Sequence, residues 1–263
     1  MEIFKSLNPL YRSDTYLAET QTAIAKITVT DDNKTAFICR DLAFYPGGGG
    51  QPAEVTGTIS LRGQVYPVSR LVKESGDVFI VLNERLPFHE ELRKGEPITQ
   101  LVDMNYRLHA SKLHSLQHTL GAAIRLIAPD YRTLGMQIRS DLTQCEVRFQ
   151  PPFALTEGMN DEVTGLARMA IASDLPIRAE FNESVEAARA LYGETFRIAP
   201  SLTEWRSNRL RTIVIGNEDS PLQDVCFCGG THIKSLAEAG DFEILDYGTD
   251  AENGEGYLAF RLR

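Results

Sequence analysis

The sequence predicts an α+β protein in two parts: an antiparallel β-barrel or meander, then an α+β sandwich. Three observations predict it. Short β-rich runs separated by turn residues fill the first hundred positions, three stretches with helically spaced apolar residues follow, and further β-rich runs are interleaved with those helices. With 263 residues, 43% hydrophobic and 24% charged, the chain is long enough to bury one large core or two modest ones, and disorder is excluded as the main state.

Residues 23–30, the turn Asp31-Asp32-Asn33-Lys34 and residues 35–39 have the form of a hairpin, because two β-rich runs flank a cluster of turn formers. Runs at 56–61, 65–72 and 78–82 continue the pattern and suggest a small closed or meandering sheet. The segment LPFHEELRKGEP at 86–97 is charged and bracketed by prolines, the composition of a connector. It divides the chain into residues 1–95 and 96–263.

From 104 to 128, Leu113, Leu116, Leu120, Ile124 and Ile127 recur at steps of three and four, which marks one helix face, and Pro129 closes it. A second helix is expected over 157–173, and a third over 184–192 before Gly193. Strands are expected at 136–139, 145–149, 177–181, 210–215, 242–247 and 257–262.

The net charge of −9 argues against a broad basic surface for non-specific nucleic-acid binding, and the acidity is concentrated after residue 100. No stretch has the roughly 18 uninterrupted apolar residues of a membrane span, and the opening Met-Glu-Ile-Phe-Lys lacks the apolar core of a signal peptide. A cytosolic protein with no membrane partner is expected. Four cysteines are too few and too scattered for a disulfide framework, and Cys226 and Cys228, one residue apart, are badly placed to bridge each other.

Clustered Cys and His point to a metal instead. On a helix, His114 and His118 lie four apart on one face and can offer two imidazole nitrogens to one ion. In Cys228-Gly-Gly-Thr-His232, two glycines permit a tight turn that aims Cys228 and His232 at one place. Either pair alone is a common accident; together they make a His-His-Cys-His set suited to zinc. His109, five residues before His114, turns away from it, and His89 in the connector faces solvent. A thermolysin-like peptidase is disfavoured, since Ser115 stands where HExxH needs its glutamate. Four protein ligands normally mark a closed structural site, whereas catalysis wants an open position, so a structural zinc in a non-catalytic RNA-binding module is the alternative.

FYPGGGGQP at 44–52 is the other unusual segment. It is no phosphate loop, because no Lys-Ser/Thr follows; four glycines either form a flexible surface turn or bring main-chain N–H groups close to a ligand. Arginines 206, 209 and 211 beside Trp205 are candidate RNA contacts, or a solvated basic turn.

Read together, four segments resemble the free-standing alanyl-tRNA editing proteins, relatives of the alanyl-tRNA synthetase editing domain and, more distantly, of the threonyl enzyme's. They are the opening Tyr11-Arg-Ser-Asp-Thr-Tyr-Leu-Ala-Glu19, FYPGGGGQP, HSLQHTLGAAI at 114–124 and CFCGGTHI at 226–233, in the family's order. The resemblance implies a translation-factor-like β-barrel joined to a two-layer α+β zinc-binding editing domain. It implies hydrolysis of the ester joining serine, and sometimes glycine, to the terminal adenosine of alanine tRNA. By matched position, His114, His118, Cys228 and His232 become the zinc ligands. Gln51 matches a glutamine held close to that pocket across a domain interface.

Gln51 and Thr231 are the candidate catalytic contacts, since a buried polar group left without the serine hydroxyl would disfavour alanine. Gly48, Gly49 and Gly50, with Arg206 and Arg209, are the candidate substrate or tRNA contacts. Two features depart from the family: one extra residue precedes Gly57, shifting Glu54 from the usual acid, and Asn253-Gly-Glu-Gly replaces a basic stretch near the C-terminus. Cys226 has no role in the matched motif.

Overall fold

The computed structural model describes residues 8–130, 132–150, 155–197, 210–250 and 252–263. They form a mixed α+β structure with several sheets, in two compact units: residues up to Gly48 with Pro52–Leu108, and Gly49–Gln51 with His109–Arg263.

In the first unit, short strands β1 (Asn8–Pro9) and β4 (Asp41–Leu42) pair in parallel. The remaining strands are β2 (Glu19–Val29), β3 (Thr35–Cys39), β5 (Thr58–Leu61), β6 (Gln64–Glu74), β7 (Asp77–Leu82) and β8 (Pro97–Leu101). Their antiparallel pairings run β2, β3, β7, β6, β5, β8 and return to β2. Turn chemistry sets the hairpins. Arg62-Gly63 and Ser75-Gly76 both carry positive φ, the twist that two-residue connections require. β3 is buried at every position, and Ile24, Phe37, Phe44, Ile59 and Ile80 anchor the core it belongs to.

The sequence boundary at residue 95 differs from this arrangement. β8, assigned by sequence to the second part, pairs with both β2 and β5 in the first unit. Pro97 is its first residue, a place where the missing N–H costs no ladder bond. His89 is half-buried rather than solvent-facing, with Nδ1 3.1 Å from Thr35 Oγ1.

Glu54 is buried in this unit. It accepts from Tyr45 N at 2.8 Å and pairs with the fully buried Arg107, while Glu54 N donates to Tyr45 O at 3.0 Å. The shifted acid therefore closes the neck of the glycine loop.

Helix α1 (Met104–Ile127) buries Leu113, Leu116, Leu120 and Ile124, the face read from the sequence. In the second unit, β15 (Phe242–Thr249), β16 (Gly256–Leu262), β10 (Cys145–Phe149) and β9 (Thr133–Ile138) form one four-stranded sheet in that order. β11 (Ile177–Asn182), β13 (Leu210–Ile215), β14 (Asp224–Phe227) and β12 (Phe196–Arg197) form another. Helices α2 (Glu157–Ala172) and α3 (Val185–Tyr192) begin on capping hydroxyls: Thr156 accepts from Met159 N and Ser184 from Ala187 N. Among the described residues, no helix is long and apolar enough to cross a membrane.

Candidate metal centre

Side chains alternate along β14, so Val225 and Phe227 pack with Ala188, Leu210 and Val214 while Asp224, Cys226 and, one step on, Cys228 take the other face. Gly230 then turns the chain over α1. A Cβ there would stand 2.2 Å from His114 Cε1 and 2.6 Å from Gln51 Oε1, so only glycine permits the approach. Buried Arg211 holds the turn from below: its Nη1 donates to Cys228 O and Gly230 O, both at 2.8 Å. That commitment removes Arg211 from the candidate RNA contacts.

The turn brings His114, His118, Cys228 and His232 together, with ligand atoms all within 4.8 Å of one another. Cys228 Sγ lies 3.4 Å from both His114 Nε2 and His232 Nε2. A tetrahedral Cys/His site with bonds of about 2.0–2.3 Å has edges of about 3.5 Å, so these spacings fit one ion. The cluster could hold a metal ion.

The other ring nitrogens have partners. Gln51 Oε1 accepts from Thr231 N at 3.0 Å, which fixes the amide's orientation. His114 Nδ1, 2.8 Å from the same oxygen, must then be the donor, leaving Nε2 with its lone pair. Gln51 Nε2 donates to Thr231 Oγ1 at 2.8 Å, and Ser111 Oγ lies 2.7 Å from that hydroxyl. His118 Nδ1 donates to Asp224 Oδ2 at 2.8 Å; Ser115 Oγ lies 3.1 Å from His232 Nδ1 and accepts from Ile233 N at 3.3 Å. Support of this kind fixes ring orientation in metal sites.

Burial raises the cost of charge on Cys228, but the neighbouring His114 and His232 outweigh it and hold the thiol well below its ordinary range. Burial, then charge on His114, also drives His232 down, well below the usual histidine value. For His118 burial is opposed by the Cys226 and Cys228 sulfurs, which push it up to about 10. The cluster thus favours a thiolate on Cys228, a soft anionic donor, beside a neutral His232 and a protonated His118 whose Nε2 proton an incoming ion would displace.

Of the sequence candidates, Gln51 and Thr231 stand beside His114, both buried. Gly50 is no open turn, since a Cβ would meet Met136 O at 2.0 Å, and its own carbonyl accepts from Ile138 N at 2.8 Å. Gly49 has nothing within 4 Å of an added Cβ. Gly48, in the first unit, accepts through its carbonyl from Tyr45 Oη at 2.7 Å. Arg206 and Arg209 lie outside the described residues.

His109 is exposed and lines a cleft of about 440 Å³ with Asp141, Glu243, Arg261 and Arg263; it shares no residue with the cluster, and its arginines are ion-paired to Glu243. Sequence reasoning missed Asp224, Ser111 and Ser115. A signal existed for two of them: Ser111, Ser115 and Thr119 make a fully buried polar stripe at four-residue steps along α1.

Residues 210–256 match the family described as the threonyl and alanyl tRNA synthetase second additional domain. Over 246 residues, 93% of this chain, the sequence is 27% identical to the alanyl-tRNA editing protein AlaX-L of Pyrococcus horikoshii, covering 55% of that protein. It is 30% identical over 213 residues to an alanine–tRNA ligase of Pyrobaculum neutrophilum, covering 77% of this chain and 21% of the ligase. The corresponding ligase of Desulfitobacterium hafniense is 26% identical over 225 residues, covering 83% and 23%. The chain therefore spans about half the length of AlaX-L and under a quarter of the ligases. The resemblance read from the four motifs is borne out.

Proposed function

We propose that this relative of alanyl-tRNA editing proteins and alanine–tRNA ligases is a zinc-dependent deacylase. Its substrate is alanine tRNA mischarged with serine, with glycine the second candidate. The observation that carries the reading is the convergence of three imidazoles and one thiol, their donor atoms within 4.8 Å of one another and Cys228 Sγ 3.4 Å from two ring nitrogens, in a chain similar to an editing protein over nearly all of its length.

His114, His118, Cys228 and His232 would hold the ion. Zinc, when bound, supplies either Lewis acidity for a carbonyl or a water, or an anchor for the substrate's amino group and ribose. An aminoacyl ester is already activated, so the chain needs no strong nucleophile of its own; it must orient the ester and the water. Gln51 spends its carbonyl oxygen on His114 and on Thr231 N, and its amide nitrogen donates to Thr231 Oγ1, so the pair keeps the proton of His114 on Nδ1. We assign Gln51 and Thr231 the polar wall of the pocket: a serine hydroxyl can join this network, whereas alanine would leave a desolvated polar group unmatched.

The ring of pairings β2-β3-β7-β6-β5-β8 is read as the translation-factor-like barrel. Arg206, Arg209 and the Gly48, Gly49 and Gly50 backbone remain candidates for the acceptor end of the tRNA, and a cytosolic location fits that partner.

A second reading follows from the same four donors, which also suit a closed zinc that only ties α1 to the turn after β14 in an RNA-binding module. Deacylation of serine-, glycine- and alanine-charged alanine tRNA by wild type and Cys228→Ala decides. The deacylase reading expects rapid release of serine by wild type and background rates for the variant. Background rates for both, with folding intact by circular dichroism, overturn it.

A further inference from the structure

Asp224 belongs to none of the sequence motifs, yet its carboxylate is fully buried. Oδ2 accepts from His118 Nδ1 at 2.8 Å, while Oδ1 takes Arg125 Nη2 at 2.6 Å and is also paired with Arg197. A buried carboxylate is costly unless paired, and this one has two guanidinium groups and an imidazole.

Asp224, His118 and Cys226 are close enough to be taken for a second ligand group. Charge argues otherwise. Two guanidinium cations on one carboxylate repel an added cation, and the oxygen left to them already receives the His118 proton. Cys226 Sγ, 3.2 Å from the same Nδ1, is the competing acceptor. Sulfur is a weak acceptor, whereas a carboxylate makes a charge-assisted bond at a shorter distance, so the proton belongs to Asp224.

We propose that Asp224 is a positioning residue for the metal centre: by accepting the Nδ1 proton of His118 it leaves Nε2 as the donor, and Arg125 and Arg197 hold the carboxylate so that it orients without ligating. The inference rests on the metal-binding part of the function proposed above.

The test is zinc affinity, by competition with a chromophoric chelator, in wild type, Asp224→Ala, Asp224→Asn and Cys226→Ser, with melting of each zinc-free protein as the folding control. Loss of a hydrogen-bonding partner behind a metal ligand weakens binding by about 10- to 100-fold. Asp224→Ala should fall in that range. Asp224→Asn keeps an acceptor of the same shape without its charge and should lose less, while Cys226→Ser should stay within about threefold. In zinc-loaded wild type, long-range ¹⁵N spectra should show the His118 proton on Nδ1.

Unchanged affinity in Asp224→Ala overturns the proposal, as does a larger loss in Cys226→Ser. If Asp224→Ala does not hold its fold, unchanged affinity in Asp224→Asn overturns it. Failure of wild type to take up zinc overturns the metal reading and this inference together, which separates the two failures.

Discussion

Gly230 offers the sharpest perturbation, because its effect follows from sterics alone. Its φ is not in the left-handed region, so alanine costs nothing in backbone strain. The added methyl would stand 2.2 Å from His114 Cε1, 2.4 Å from Nδ1 and 2.6 Å from Gln51 Oε1. Ordinary carbon contacts begin at about 3.5 Å, so the ring or the turn must retreat by about 1 Å. The ring has no slack in which to do so: Nδ1 sits 2.8 Å from Gln51 Oε1 and Nε2 3.4 Å from Cys228 Sγ. A 1 Å shift stretches that hydrogen bond beyond useful length and displaces one donor from the tetrahedron. Overpacking of this sort costs about 1–3 kcal/mol, which for 150–250 residues lowers melting by about 2–12 °C. Gly230→Ala should therefore melt lower by that amount without zinc, bind zinc about 10- to 100-fold more weakly, and lose deacylase activity. Gly135→Ala, where an added Cβ meets nothing within 4 Å, is the control. If Gly230→Ala melts and binds zinc as wild type does, the turn relaxes freely and the close-packing argument is wrong.

Gly50 and Gly49 should separate in the same way. Gly50→Ala places a Cβ 2.0 Å from a backbone oxygen and should destabilise the protein, whereas Gly49→Ala meets nothing. Both have positive φ, so each also carries about 1 kcal/mol of strain. If Gly49→Ala keeps its melting temperature within a few degrees yet slows deacylation, Gly49 touches substrate; an unaltered rate removes it from the contacts. Thiol reactivity provides a further check. Burial, with Asp41 adding to it, pushes Cys39 up to about 12, and burial also raises Cys145, whereas Cys228 is held low by its histidines. In zinc-free protein, iodoacetamide should label Cys228 ahead of Cys39 and Cys145, at a rate nearly flat over pH 6–9 because the thiolate is already formed, and zinc should block it. A Cys228 rate rising tenfold per pH unit, read by peptide mass spectrometry, would refute the lowered pKa.

Local pattern made most of this structure legible. The spacing of Leu113, Leu116, Leu120 and Ile124 marks α1, and the turn formers Asp31-Asp32-Asn33-Lys34 mark the hairpin between β2 and β3. The four candidate metal donors are legible because each pair is local, i and i+4 on a helix or across two glycines. What stayed hidden is non-local. Asp224 meets His118 across 106 residues of sequence and Ser115 meets His232 across 117, and nothing in either neighbourhood announces the partner. β14 is too short, at four residues, to show an alternation. β8 was read as part of a connector's far side because Pro97 looks like a breaker until its place at the start of the strand is known.

The net charge of −9 acquires a different meaning once the partners are known. Arg62, Arg70, Arg85, Arg148, Arg261 and Arg263 are ion-paired at the surface, and buried Arg107 and Arg211 hold backbone carbonyls, so much of the positive charge is committed within the fold. At the His/Cys cluster the balance reverses. Arg125 and Arg197 more than offset Asp224, and with a divalent ion bound the Cys228 thiolate neutralises only half of its charge. If an ion fills the cluster, positive charge gathers at one buried place in an otherwise acidic protein, and a nucleic-acid backbone would be drawn there rather than along the surface. Under the deacylase function proposed above, such a distribution favours reading the end of a chain over gripping its length, and a catalyst that must sample many correctly charged tRNAs would gain turnover from that weak hold.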